Sequence, residues 1–74
     1  MAMPRADIRQ AIDHAISCLN VRAAGWDEET LSHNVESNFP SLTADECEAI
    51  ARITLGSQHP IDRDYDRALL GIAS

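Results

Sequence analysis

Apolar residues recur at steps of three and four along the first third of the chain, which is the spacing of one face of an α-helix. Pro4 suits the first turn of such a helix, and Gly25 suits the left-handed residue that often follows the last turn. We therefore predict a helix at roughly residues 4–23. Its inward face would carry Ile8, Ile12, Ala15, Ile16 and Leu19, with Ala11 at the edge.

A second helix is predicted where a start signal precedes another apolar stripe. Asp27 can cap this helix, because its side-chain oxygen can accept a hydrogen bond from an amide of the first turn. Leu31, Val35 and Phe39 follow at steps of four, and Pro40 forces an end near Asn38. The predicted helix covers roughly residues 27–38.

The third helix opens with a capping box, because Thr43 and Glu46 have the T-x-x-E spacing that satisfies two backbone amides reciprocally. Gly56 marks its end, which gives a helix over residues 43–55. Ile53 falls about 120° of helical rotation away from the inward stripe, so either another helix covers it or a partner does. The stripe consists of Cys47, Ile50, Ala51, Thr54 and Leu55.

The fourth helix is predicted over residues 62–73, in the stretch that begins DRDYDRALLG. Asp62 is expected to cap it, and Arg63 is expected to pair with Asp66 at a step of three. Leu70 points away from the apolar stripe, so the simplest bundle leaves it exposed. The stripe is formed by Ile61, Tyr65, Ala68, Leu69 and Ile72.

These segments predict an all-α fold, a compact bundle of four short helices with tight turns in a single domain over residues 1–74. One Trp, one Tyr and one Phe leave the core to aliphatic residues and alanine, a mixture that favours packed helices over a sheet. A domain of this size buries little apolar surface, so oligomerisation or docking often adds stability.

The charge of the chain is strongly negative and unevenly placed. Twelve acidic residues face six arginines and no lysine, for a formal net charge of −6. No basic residue lies between Arg22 and Arg52, so the middle of the chain is expected to carry seven uncompensated negative charges. Phosphate should be repelled there and basic surfaces attracted. The acidic residues of this region are Asp27, Glu28, Glu29, Glu36, Asp45, Glu46 and Glu48.

Catalytic and metal-binding motifs are poorly represented. The acidic triplet that starts at Asp62 matches the opening of an EF-hand loop, but Arg67 and Ala73 stand where that loop needs Gly and Glu. No nucleophile elbow, phosphate-binding glycine loop or zinc-protease motif occurs, so we expect no enzyme and no cofactor. A zinc site would need distant residues to converge, among them His14, Cys18, His33, Cys47 and His59.

Two cysteines in a chain without a secretory signal or a long apolar stretch indicate a cytoplasmic protein with reduced thiols and no membrane contact. A disulfide between Cys18 and Cys47 remains the alternative at this point.

Two short segments resemble known families. The stretch LTADECEAIARI resembles the opening of the first helix in LuxR-type helix-turn-helix domains, which implies a DNA-binding regulator. The helix that follows here begins with acidic residues, however, which makes direct nucleic-acid binding a weaker expectation. Phe39-Pro40 and Leu69-Leu70 resemble ubiquitin-binding CUE domains, but the segment between Gly56 and Ala68 is longer than that pattern allows.

The leading hypothesis is a non-enzymatic protein-interaction module whose acidic middle meets a basic surface on a protein partner. One version is an inhibitor that occupies a nucleic-acid-binding surface, as small acidic phage-encoded proteins do. The alternatives are the DNA-binding regulator and a homodimer or larger structural homo-oligomer. The expected partner-binding residues are the seven acidic residues of the middle together with Ile53 and Leu70.

Overall fold

A computed structural model describes residues 5–21, 25–56 and 60–72, with the backbone alone for residues 60–63. The described residues form four α-helices and no strand, which confirms the predicted all-α bundle. In chain order these are α1 (Ala6–Val21), α2 (Glu28–Asn38), α3 (Ala44–Leu55) and α4 (Pro60–Leu69). Helix α3 is central, since it packs against each of the other three.

Local hydrogen bonds fix the starts of α2 and α3. The Asp27 carboxylate accepts from the Thr30 amide at 2.8 Å, and the Thr30 hydroxyl accepts from the Asp27 amide at 3.0 Å. The Thr43 hydroxyl accepts from the Glu46 amide at 3.1 Å, and Glu46 Oε1 accepts from the Thr43 amide at 2.9 Å. Both caps stand where they were predicted, although the pairing of Asp27 with Thr30 was not foreseen.

Helix α4 starts and stops earlier than predicted. It begins at Pro60, so Asp62 lies inside the helix and is not its cap. Proline is favoured in a first turn because the amide it lacks has no helical partner there. At the other end, Gly71 has φ 74°, and the Ile72 amide donates to the Arg67 carbonyl at 2.8 Å. This bond is typical of the Schellman motif and ends the helix before residue 73.

The core is aliphatic and rich in alanine. Helix α1 contributes Ile8, Ala11 and Ala15, so its buried face is centred on small residues. Ile16 was predicted to face inward but is 45 % exposed, because it lies about 100° of rotation from Ala15. The remaining buried apolar residues are Leu31, Val35, Leu42, Cys47, Ala49, Ile50, Ala51 and Leu70.

The rotation of α4 is opposite to the one that the apolar pattern predicts. Asp66 is 0 % exposed and Leu70 is 1 % exposed, whereas Tyr65 is 59 % exposed and Leu69 also reaches the surface. The predicted exposure of Leu70 is therefore wrong. Asp66 turns inward to bind Arg52 of α3, and Leu70 lies one helical turn further on the same side. The side chain of Arg63, its predicted partner, lies outside the described residues.

The structure also tests the predicted burial of two residues of α3. Ile53 is partly buried and packs against the core, so of the two alternatives it is covered by its own chain. Leu55, which was assigned to the inward stripe, is exposed at the last turn of α3. No helix in the described ranges has the length and apolar character needed to cross a bilayer.

Candidate functional site

A groove of about 260 Å³ runs between α2 and α3, and most of its charged residues are glutamates. On α2 the lining residues follow one another at alternating steps of one and three, which places them on one helix face. On α3 the two lining residues are four apart, so they also share a face. We call this feature the acidic groove, and its residues are Glu28, Glu29, Ser32, His33, Glu36, Ala44 and Glu48.

The fold gathers four of the seven acidic residues that were predicted to bind a partner, the glutamates of the acidic groove. The other three lie elsewhere. Asp27 caps α2, and hydrogen bonds from the Thr30 amide and hydroxyl lower the pKa of its carboxyl group. Asp45 is exposed in the first turn of α3, and Glu46 is nearly buried.

Two of the seven acidic residues are neutralised by arginines from other parts of the chain. Arg5 Nη2 donates to Glu46 Oε2 at 2.8 Å, and Arg52 Nη1 donates to Glu28 Oε1 at 3.0 Å. The expectation of seven uncompensated charges is therefore wrong for Glu28 and Glu46. Folding brings these arginines to them from 41 and 24 residues away in sequence.

Three groove glutamates have no ion-pair partner among the described residues. Glu29, Glu36 and Glu48 form no ion pair with any residue in the part of the chain that the structure describes. Behind the groove, burial first, and then the charges of Glu36, Glu46 and Glu48, raise the pKa of the Cys47 thiol. The acidic groove is therefore a site of concentrated negative potential.

The polar residues between the glutamates were not predicted. Ser32 is nearly buried and His33 is exposed, and both line the groove with the acids. Their positions follow from helical spacing, since Ser32 is four residues after Glu28 and His33 is four after Glu29. Ionised carboxylates accept hydrogen bonds only, so the groove is suited to ligands that carry several N–H donors and positive charge.

The His14, Cys18 and Asn34 side chains form a second polar cluster where α1 meets α2. His14 Nε2 lies 2.6 Å from Asn34 Oδ1 and 3.6 Å from Cys18 Sγ. Because the same ring nitrogen contacts both groups, it cannot donate to the amide and accept the thiol proton together. In a thiol–imidazole–amide relay, one ring nitrogen accepts the thiol proton and the other donates to the amide. Here the Nε2 atom of His14 faces both groups, so the relay is not formed.

The candidate metal ligands remain apart in the described part of the chain. No group of three His, Cys, Asp or Glu side chains there could hold a metal ion, and His59 lies outside the described residues. Cys18 and Cys47 are both free, which removes the alternative of a disulfide between them. Cys47 is fully buried in the core, and His33 lies in the acidic groove.

A second concavity, of about 330 Å³, lies beside the last turns of α1 and is almost entirely apolar. It is lined by His14, Ser17, Cys18, Val21 and Trp26. The Trp26 Nε1–H is buried without a hydrogen-bond partner among the described residues.

Comparison of the chain with protein-family models, with curated proteins and with solved structures finds no match.

Proposed function

We propose that this protein is a non-enzymatic interaction module that binds a basic segment of a partner protein in the acidic groove. The observation that carries the proposal is the gathering of Glu28, Glu29, Glu36 and Glu48 along one groove between two helices. Three of these glutamates have no ion pair with another described residue, so their charge is available to a ligand.

Recognition would depend on several charges acting together. A single exposed ion pair contributes only about 0–1 kcal/mol, because water and salt screen it. Carboxylates on both walls of a groove can engage neighbouring guanidinium or ammonium groups at once, and arginine adds paired hydrogen bonds. The surrounding negative potential would also speed the encounter with a basic partner, more so at low salt.

One form of this function is inhibition. Basic protein surfaces commonly bind phosphate backbones, and a partner that uses such a surface would lose it while the acidic groove covers it. The proposed location is the cytoplasm, where the two free cysteines would stay reduced.

The residues that the two alternative functions would need are already paired or at least partly buried. A DNA-binding face would need Arg52, whose guanidinium is already bound to Asp66 and Glu28. A homo-oligomer formed through Ile53 and Leu70 would need both at the surface, whereas Leu70 is buried and Ile53 partly so.

The test uses octa-arginine as a basic probe, with its affinity measured by fluorescence anisotropy at low salt. The variant Glu36→Gln/Glu48→Gln should weaken binding by about tenfold or more, since it removes a charge from each wall. The matched control is Asp13→Asn/Asp45→Asn, which removes two exposed charges outside the groove. An equal loss in both variants would show that net charge alone attracts the probe and would overturn the proposal.

A further inference from the structure

Helix α4 turns apolar side chains toward solvent. Tyr65 and Leu69 are four residues apart on one face of the helix, and both are exposed, as is Leu55 at the end of α3. We call Leu55, Tyr65 and Leu69 the apolar surface. The inward side of α4 is occupied by Asp66 and Leu70, so a rotation of α4 that buried Tyr65 and Leu69 within this chain would break the Arg52–Asp66 ion pair.

Arg52 links the apolar surface to the acidic groove, because it binds both groove residue Glu28 and Asp66 of α4. Glu48, Arg52 and Leu55 follow one another at steps of four and three, so they share one face of α3. Glu48 lines the groove, and Arg52 lies between groove residue Glu28 and Asp66 of α4.

On α4, Tyr65 precedes Asp66 directly and Leu69 comes about one turn after it. Both therefore lie close to the ion pair that Asp66 forms with Arg52. Each residue of the apolar surface therefore lies within about one helical turn of Arg52 or Asp66, and Arg52 also binds a groove residue.

From this arrangement we infer that the partner segment is an amphipathic helix with basic residues on one part of its surface and large apolar residues on another. This inference rests on the proposed function. The basic residues bind the acidic groove, and the apolar residues pack on Leu55, Tyr65 and Leu69, as in other complexes that seat a helix in a groove.

Charge complementarity selects a basic partner over a second copy of this chain. A copy has a net charge of −6, so two copies repel each other overall. Asp64, which is exposed on α4 next to Tyr65, would add another acid at the same boundary. A basic helix replaces these repulsions with attractions while it covers the same apolar residues.

The experiment compares two helical peptides of roughly 16 residues, a length at which helices begin to be stable. Both carry the same lysines on one face, and the opposite face is leucine in one peptide and alanine in the other. In about 0.15 M salt, the leucine peptide should bind the wild-type protein at least about tenfold more tightly. The variant Tyr65→Ser/Leu69→Ser should abolish this preference and leave the affinity for the alanine peptide unchanged.

The matched control is Ile16→Ser/Val21→Ser, which removes two exposed apolar residues from α1 and should keep the preference. Circular dichroism checks that each variant is folded. A preference that survives Tyr65→Ser/Leu69→Ser would overturn the inference. So would a wild-type dimer in light scattering that the same variant dissociates, because the apolar surface would then join two copies.

The two proposals fail in different ways. If Glu36→Gln/Glu48→Gln weakens both peptides but leucine and alanine peptides bind equally, the acidic groove binds basic segments and the apolar surface takes no part. If neither peptide responds to the groove variant, the proposed function itself is wrong.

Discussion

Arg52 and Asp66 form an ion pair with two parallel hydrogen bonds that joins α3 to α4. Arg52 Nε donates to Asp66 Oδ2 at 2.8 Å, and Arg52 Nη2 donates to Asp66 Oδ1 at 2.6 Å. The Asp66 side chain is fully buried, and hydrogen bonding to this carboxylate raises the pKa of Arg52 despite partial burial. The pair sets which side of α4 faces the core, and with it the exposure of Tyr65 and Leu69.

The first prediction concerns the stability that depends on this pair. Arg52→Met leaves the buried Asp66 carboxylate without a counter-charge, which should lower the free energy of unfolding by about 3–5 kcal/mol. Replacing both partners, as in Arg52→Met/Asp66→Leu, should restore most of that loss because no charge remains buried. Urea denaturation followed by circular dichroism measures both effects.

Arg5→Met is the matched control for this experiment. The Arg5 side chain is 56 % exposed and pairs with Asp7 and Glu46, so its loss should cost at most about 1 kcal/mol. A similar cost for Arg5→Met and Arg52→Met would contradict the role assigned to the buried pair.

The second prediction concerns stability in acid. Asp27 has a lowered pKa in the folded state, because its carboxylate accepts hydrogen bonds from the Thr30 amide and hydroxyl. Such a group adds stability above its unfolded pKa, which is near about 4, and that contribution disappears as the pH falls through the lower folded value. Asp27→Asn keeps a capping oxygen that does not titrate, so the decline in stability below about pH 4 should be shallower.

Thr30→Val provides a second measurement of the same effect. It removes the hydroxyl donor and leaves the amide, so it should reduce the pH dependence without abolishing it. Denaturation midpoints measured from neutral pH to strongly acidic pH are the observable. If the stability of Asp27→Asn falls as steeply in acid as that of the wild type, the role assigned to this cap is refuted.

The third prediction concerns the two thiols. Cys47 is fully buried, and burial together with nearby glutamates raises its pKa, so its reactive thiolate is scarce. Cys18 is partly exposed beside the apolar concavity of α1. A disulfide reagent should therefore label one thiol quickly in the folded protein and the second only on unfolding.

The variant Cys18→Ser identifies the fast thiol, because it should remove the fast phase and leave the slow one. Two thiols that react at the same rate in the native protein would show that α3 does not protect Cys47 as the structure indicates.

Local signals explain why the helices could be predicted. Each capping residue satisfies amides within three positions of itself, as Thr43 does with Glu46, so its effect does not depend on the rest of the fold. Gly56 has φ 79° after the last residue of α3, a conformation that glycine adopts without steric cost. The regular apolar spacing of α2 likewise predicted its buried residues Leu31 and Val35.

The site was only partly predictable. Sequence placed the acidic residues in one region, and helical spacing could have grouped Glu29, His33 and Glu36 on one face of α2. It could not show that Glu48 of α3 faces them, or that Arg52 and Arg5 neutralise Glu28 and Glu46. Those relations require two helices to pack at a particular distance and rotation.

Sequence by itself determined that this chain forms short helices with defined caps and a negative middle, because capping, glycine conformation and charge act over a few residues. Tertiary structure alone decided that Asp66 and Leu70 enter the core while Tyr65 and Leu69 face solvent. The apolar pattern favoured the opposite rotation of α4. Arg52, fourteen residues away, outweighs that pattern because an inward-facing Asp66 can bind it through two hydrogen bonds.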